Sequence, residues 1–100
     1  MAKFELTKKA VEDLGDIWNY TYENWSEHQA DLYYQLLIES FKEIAGNPSI
    51  GKNYHGIVER LRGFKVGRHI VFFREMDGLK IEIIRILHEQ MDLKNRIIEK

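Results

Sequence analysis

The side chains here that titrate near neutral pH are four histidines, His28, His55, His69 and His88, the natural candidates for proton transfer or metal ligation. They stand 27, 14 and 19 residues apart, with no H-x-x-x-H or histidine-carboxylate spacing among them, so no metal site is expected. The chain has no cysteine, which removes disulfides, thiolate nucleophiles and zinc-thiolate centres together. Ser26, Ser40 and Ser49 all lie outside any G-x-S-x-G turn, and serine hydrolysis has no support. Gly51-Lys52-Asn53-Tyr54-His55-Gly56 starts like a phosphate loop, but Ile57 and Val58 stand where lysine and a hydroxyl residue are needed. Gly63 and Gly67 lack the third glycine and the helix of a dinucleotide fingerprint, and read as turn or bulge glycines. No cofactor is expected.

The cations are more suggestive. Residues 1 to 50 carry four lysines against nine acids, a net charge of −5, whereas residues 51 to 100 carry eleven lysines and arginines against seven acids, or +4. All six arginines fall in the second half, which therefore offers a basic face beside an acidic one. Arg62, Lys65, Arg68, Arg74 and Arg85 recur along what read as adjacent strands. They serve either as a binding face or as a solvated sheet surface with cross-strand ion pairs to Glu75, Glu82 and Glu89. Arg85 sits among Ile83, Ile84, Ile86 and Leu87, and a guanidinium in such surroundings requires a carboxylate or carbonyl partner.

The elements that position these residues follow from periodicity. Phe4 and Leu6 alternate with Lys3 and Glu5 in a short strand, and Thr7 is placed to cap a helix over about 8 to 25. That helix carries Ala10, Val11, Leu14, Ile17, Trp18, Tyr22 and Trp25 at three- and four-residue spacing. Ser26 and Gln29 fit a capping box, so a second helix starts after almost no loop and the two form an antiparallel hairpin. Its stripe is Ala30, Tyr33, Tyr34, Leu37, Phe41, Ile44 and Ala45, widened by Leu32, Leu36 and Ile38. Gly46, taking the left-handed cap, with Asn47 and Pro48, stops it. The aromatic residues Trp18, Tyr22, Trp25, Tyr33 and Tyr34 read first as core and hairpin packing.

Residues 49 to 61 read as a connection with a short turn of helix or strand. Strands follow over about 61 to 66, a bend at Gly67, 69 to 75, a hairpin turn at Asp77-Gly78, and 80 to 88. The last strand has branched aliphatics at odd and even positions, as a strand covered on both faces requires. The tail from Met91 to Lys100 reads as a short helix.

The expected fold is α+β in the order β-αα-βββ: an N-terminal strand, then an antiparallel helical hairpin packed on a mainly antiparallel sheet. At 100 residues, 44% hydrophobic and 31% charged, the chain has the length and composition of one folded domain, 1–100, with a modest core and surface grooves rather than deep cavities. No apolar run is long enough for a signal peptide or a membrane span, and a cytoplasmic protein is expected. The net charge of −1 suits direct nucleic-acid binding poorly.

With this order, the strings Arg62-Gly63-Phe64, Gly67-Arg68-His69-Ile70-Val71-Phe72-Phe73-Arg74 and Ile84-Arg85-Ile86-Leu87-His88-Glu89-Gln90-Met91-Asp92 make the chain resemble the RelE/ParE toxin superfamily, specifically its ParE branch. Leu6-Thr7, Asp13, Ile17 and Asn47-Pro48-Ser49-Ile50-Gly51 extend the resemblance over nearly the whole chain. It implies a bacterial toxin of a type II toxin-antitoxin pair of the plasmid-stabilising kind, neutralised by a ParD-like antitoxin in a hetero-oligomer and inhibiting DNA gyrase by binding it.

The alternative within the superfamily is ribosome-dependent messenger RNA cleavage of the RelE type. That chemistry needs a base, an acid and cations around the phosphate, supplied there by a basic face and a late Tyr or His. The last tyrosine here is Tyr54, leaving His88 with Arg85, and strand alternation puts these two on opposite faces. A protein inhibitor is therefore favoured over an endoribonuclease. Target contact is expected from Arg62, Lys65, Arg68, Arg74, Arg85 and His88. The antitoxin is expected to lay an amphipathic helix, or add a strand, along an apolar groove containing Leu14, Trp18, Leu37 and Phe41.

Overall fold

A computed structural model describes residues 3–54, 56–77, 80–91 and 96–97. Its elements are β1 (Lys3–Leu6), α1 (Lys8–Asn24), α2 (Glu27–Gly46), a 3-10 turn (Pro48–Ile50), β2 (Lys52–Asn53), β3 (Arg62–Val66), β4 (His69–Glu75) and β5 (Lys80–His88). The sheet order is β1-β5-β4-β3-β2, with β1 parallel to β5 and every other pair antiparallel. The β-αα-βββ expectation holds, with the short edge strand β2 added from the connecting segment. His55, the turn glycine Gly78, and most of the tail expected to be helical lie outside the described residues. No helix among the described residues is long and apolar enough to cross a membrane.

Local chemistry sets the element ends. The Thr7 hydroxyl accepts the Ala10 N–H at 3.1 Å and donates to the Ile84 carbonyl at 2.7 Å, so the cap that starts α1 also anchors it to β5. Ser26 caps α2 by accepting the Gln29 N–H at 3.1 Å. Gly46 does not take the left-handed cap expected of it. α2 runs through it and ends at Asn47, whose φ of −155° turns the chain out before Pro48.

The main core lies between the hairpin and one sheet face, built from Leu14, Leu37, Phe41, Ile44, Val71, Phe73, Ile81, Ile83 and Ile86. Each such large buried side chain contributes roughly 1.5–3 kcal/mol. Leu61, Ile70, Phe72 and Leu87 form a smaller cluster on the other face, beneath Tyr54 and Ile57 of the β2–β3 connection and Ile97. The covering of β5 on both faces follows. A register shift at Phe72/Phe73 sets Phe72 opposite Arg85 and Phe73 opposite Ile83, leaving Ile84 as the extra residue.

The helix stripes are narrower than their sequence pattern. In α1 the buried residues are Ala10 and Leu14, with Ile17 packed on them, while Val11, Tyr22 and the C-cap residue Trp25 face outward, Trp25 at 76% exposure. Leu32, Tyr34 and Leu36 of α2 are exposed as well. One sheet face fills about a third of a helix circumference, and the flanks find nothing further to pack on.

Candidate functional site

The positive residues are placed by the β3–β4 hairpin and the end of β5. Gly67 and Arg68 form the connection, Gly67 with φ of +58°, so that Val66 and His69 pair across it. The next strand pairing puts His69 opposite His88, their rings edge-to-face with centroids 5.4 Å apart. From α2, the Tyr33 hydroxyl reaches this turn and lies 2.7 Å from His69 Nδ1, 3.2 Å from the Arg68 amide nitrogen and 3.2 Å from the Val66 carbonyl oxygen. With the neutral His69 proton on Nδ1, all three are satisfied at once. The phenol oxygen accepts from Arg68 N–H and His69 Nδ1–H and donates to Val66. On the other side of the turn, Glu89 N–H donates to the Arg68 carbonyl at 3.0 Å and the Glu89 carboxylate meets Lys65 Nζ at 3.1 Å. Gln90 N–H donates to His88 Nδ1 at 3.1 Å.

Burial pushes His69 down to about 4, aided by the neighbouring His88 ring and opposed by Asp13 and Glu89. Burial likewise raises Tyr33, so the ring and the phenol are both uncharged at neutral pH. Among the described residues, no three His, Asp or Glu side chains gather as a metal site.

Arg85 is handled differently. β1 stops opposite Ile83, and beyond it the outer edge of β5 meets Asp13 of α1. The Asp13 carboxylate accepts from Arg85 Nε at 2.8 Å, Arg85 Nη2 at 3.0 Å and Ile86 N–H at 2.9 Å, while Arg85 Nη1 donates to the Arg96 carbonyl at 2.8 Å. The partner that the apolar surroundings demanded is thus both a carboxylate and a carbonyl. Arg85 and His88, expected on opposite faces, both line a cleft of about 150 Å³ with Asp16 and His69, and Asp13, Asp16 and Arg85 also border a second cleft of about 330 Å³ with Lys9 and Glu12. Small-molecule sites usually measure roughly 300–1,000 Å³.

The sequence model of the family described as ParE toxin of type II toxin-antitoxin system, parDE, matches residues 4–93. The chain belongs to this ParE toxin family. Toxin ParE1 of Caulobacter vibrioides is 34% identical over 94 residues, covering 94% of this chain and 96% of that protein. Toxin ParE1 of Mycobacterium tuberculosis is 30% identical over 96 residues, covering 96% of this chain and 98% of that one. A solved structure described as a chromosomal ParDE TA system from P. aeruginosa shares the fold, with a TM-score of 0.72 at 23% identity over 88% of this chain and 95% of its own. The ParE-matched region holds Tyr33, the histidine pair and the Asp13–Arg85 pair together.

On this ParE fold the expected target-contact residues divide. Lys65, Arg68 and His88 lie at the β3–β4 turn end of the sheet, Lys65 in register with Ile70 and Leu87 on one face and His88 with His69 and Val66 on the other, whereas Arg62 and Arg74 lie at the far end of the same strands. Arg62 Nη1 donates to the Pro48 carbonyl at 3.0 Å, and Arg74 pairs with Glu82 at 2.9 Å. Arg85 is buried. The expected single basic face is therefore divided between the two ends of the sheet, with Lys65, Arg68 and His88 as a rim at one end, Lys65 paired there with Glu89. Of the residues expected in an antitoxin groove, Leu14, Leu37 and Phe41 lie inside the main core, because the sheet fills the space beneath the hairpin. Trp18 is accessible, stacked on Tyr22 with centroids 5.3 Å apart and donating to Asp31 at 3.0 Å.

Sequence reasoning passed over Tyr33, read as a packing aromatic, and His69, read as a strand residue. A half-buried tyrosine hydroxyl needs a polar partner, and that requirement, not applied to Tyr33, is the signal by which such a role is found. The partner itself lies 36 residues away and is set by packing alone.

Proposed function

We propose that this chain is the toxin partner of a ParD-like antitoxin and that it inhibits DNA gyrase by binding it, breaking no bond of its own. The observation that carries the reading is the commitment of Arg85 to Asp13 and to the Arg96 carbonyl. In the nuclease alternative it is Arg85, beside His88, that would meet charge developing on phosphorus. Arg85 already has its carboxylate, and His69, held neutral by burial, adds no positive charge at pH 7. Membership of the ParE family supports the gyrase assignment and a cytoplasmic site of action.

The rim of Lys65, Arg68 and His88 is the proposed contact with gyrase, and to poison the enzyme it must bind the DNA-cleaved state more tightly than the resealed one. The antitoxin is proposed to cover the outward stripe of α1, the exposed Val11 and Tyr22 with the partly buried Trp18 between them, with an amphipathic segment, for which apolar side chains at helical spacing are suited.

The test is to add the purified toxin to a gyrase supercoiling assay and, in parallel, to a translating extract probed for transcript cleavage. Supercoiling is lost and transcripts stay intact on this reading. Cut transcripts, with cutting abolished by His88→Ala, would establish the nuclease alternative.

A further inference from the structure

We infer that Tyr33, on the opposite layer of the fold from the target rim, is a positioning residue that sets the geometry of Arg68. The inference rests on the proposed function above and adds a component to it. In a two-residue hairpin the turn peptides ordinarily face water. Here both backbone polar groups of Arg68 are tied by tertiary bonds: its N–H to the Tyr33 hydroxyl at 3.2 Å and its carbonyl to Glu89 N–H at 3.0 Å. The same hydroxyl holds the residues on either side of the turn, Val66 at 3.2 Å and His69 at 2.7 Å. The turn also rests on the Tyr33 ring, since a Cβ at Gly67 would lie 2.7 Å from the Tyr33 hydroxyl oxygen. The tyrosine therefore fits the glycine and fixes the arginine in one contact.

The Arg68 side chain itself is exposed. Fixing the backbone beneath an exposed cation does little for the core, but it removes conformational freedom that a bound partner would otherwise have to quench. The hydroxyl does this from a neutral, half-buried position, where a hydrogen bond is stronger than at the surface.

The experiment is a double-mutant cycle on the full chain, Tyr33→Phe, Arg68→Ala and both together, scored by the inducer dose that arrests growth without antitoxin and by half-inhibition of gyrase supercoiling. Each single variant is expected to weaken the toxin about tenfold, and the double variant no further than Arg68→Ala alone, because Tyr33 acts through Arg68. Amide exchange gives an independent readout: Tyr33→Phe accelerates exchange at Arg68 by at least about tenfold while Val71 in β4 stays protected. Wild-type potency for Tyr33→Phe, multiplying losses in the double variant, or unchanged Arg68 exchange each overturn the inference. Growth arrest with untouched supercoiling removes the gyrase reading while the cycle still scores Tyr33. A wild-type chain that arrests nothing removes both.

Discussion

The Asp13 carboxylate holds Arg85 through two nitrogens, Nε at 2.8 Å and Nη2 at 3.0 Å, and accepts the Ile86 N–H at 2.9 Å with the same group. One side chain thus neutralises a buried cation and stands in for the missing strand neighbour of β5. Asp13→Leu takes the carboxylate from both the guanidinium and the Ile86 amide, and is expected to cost about 3–5 kcal/mol. Arg85→Met alone costs a similar amount by stranding the carboxylate. The pair Asp13→Leu with Arg85→Met recovers the ion-pair part of the loss, since apolar replacement of a buried ion pair is often neutral, but not the bond to the Ile86 N–H, worth about 1–3 kcal/mol. Urea unfolding of the three variants measures this coupling.

Acid should loosen the fold through His69. Its folded value of about 4 lies below the ordinary 6.5, so the unfolded chain takes up the proton first as pH falls. The stability attached to the neutral ring is complete above pH 6.5 and is lost progressively down to about pH 4. Allowing for solvent screening of a half-exposed ring, the loss is on the order of 1–2 kcal/mol. Unfolding midpoints measured between pH 7.5 and 4 should show it, and His69→Gln should flatten the slope between those limits.

Gly67→Ala is expected to destabilise by about 1–3 kcal/mol, combining an unfavourable left-handed φ with a clash against Tyr33. Gly15→Ala, where a Cβ meets open space in an α1 helix interior, should instead stabilise by up to about 1 kcal/mol. Thermal melts of the two variants check the contrast in sign.

Outward and inward apolar residues of the hairpin should separate by assay. Val11→Gln changes stability by no more than about 0.5 kcal/mol, and Tyr22→Gln, which gives up the stack on Trp18, by about 0.5–1.5 kcal/mol, but each weakens binding of the ParD-like antitoxin about tenfold or more. Leu37→Ala, emptying a fully buried position, costs about 2–5 kcal/mol. Calorimetric titration with the antitoxin alongside unfolding curves measures both.

Much was legible in the sequence because it is local. Thr7 and Ser26 announce their helices through bonds to Ala10 and Gln29, three residues on, and the alternating aliphatics of β5 announce two covered faces. The requirement for a partner at Arg85 follows from its apolar neighbours, as the toxin family follows from the motif around it. Which carboxylate answers Arg85 was left to packing, because Asp13 is 72 residues away and both flanks of α1 carry acids. Tertiary structure also decided that Leu14, Leu37 and Phe41 fill the interior while Val11 and Tyr22 remain outside, since a helical stripe has no edge until a sheet is laid against it. The gathering of Tyr33, Arg68, His69 and His88 has the same origin: strand register and helix packing bring together side chains that no spacing along the chain relates.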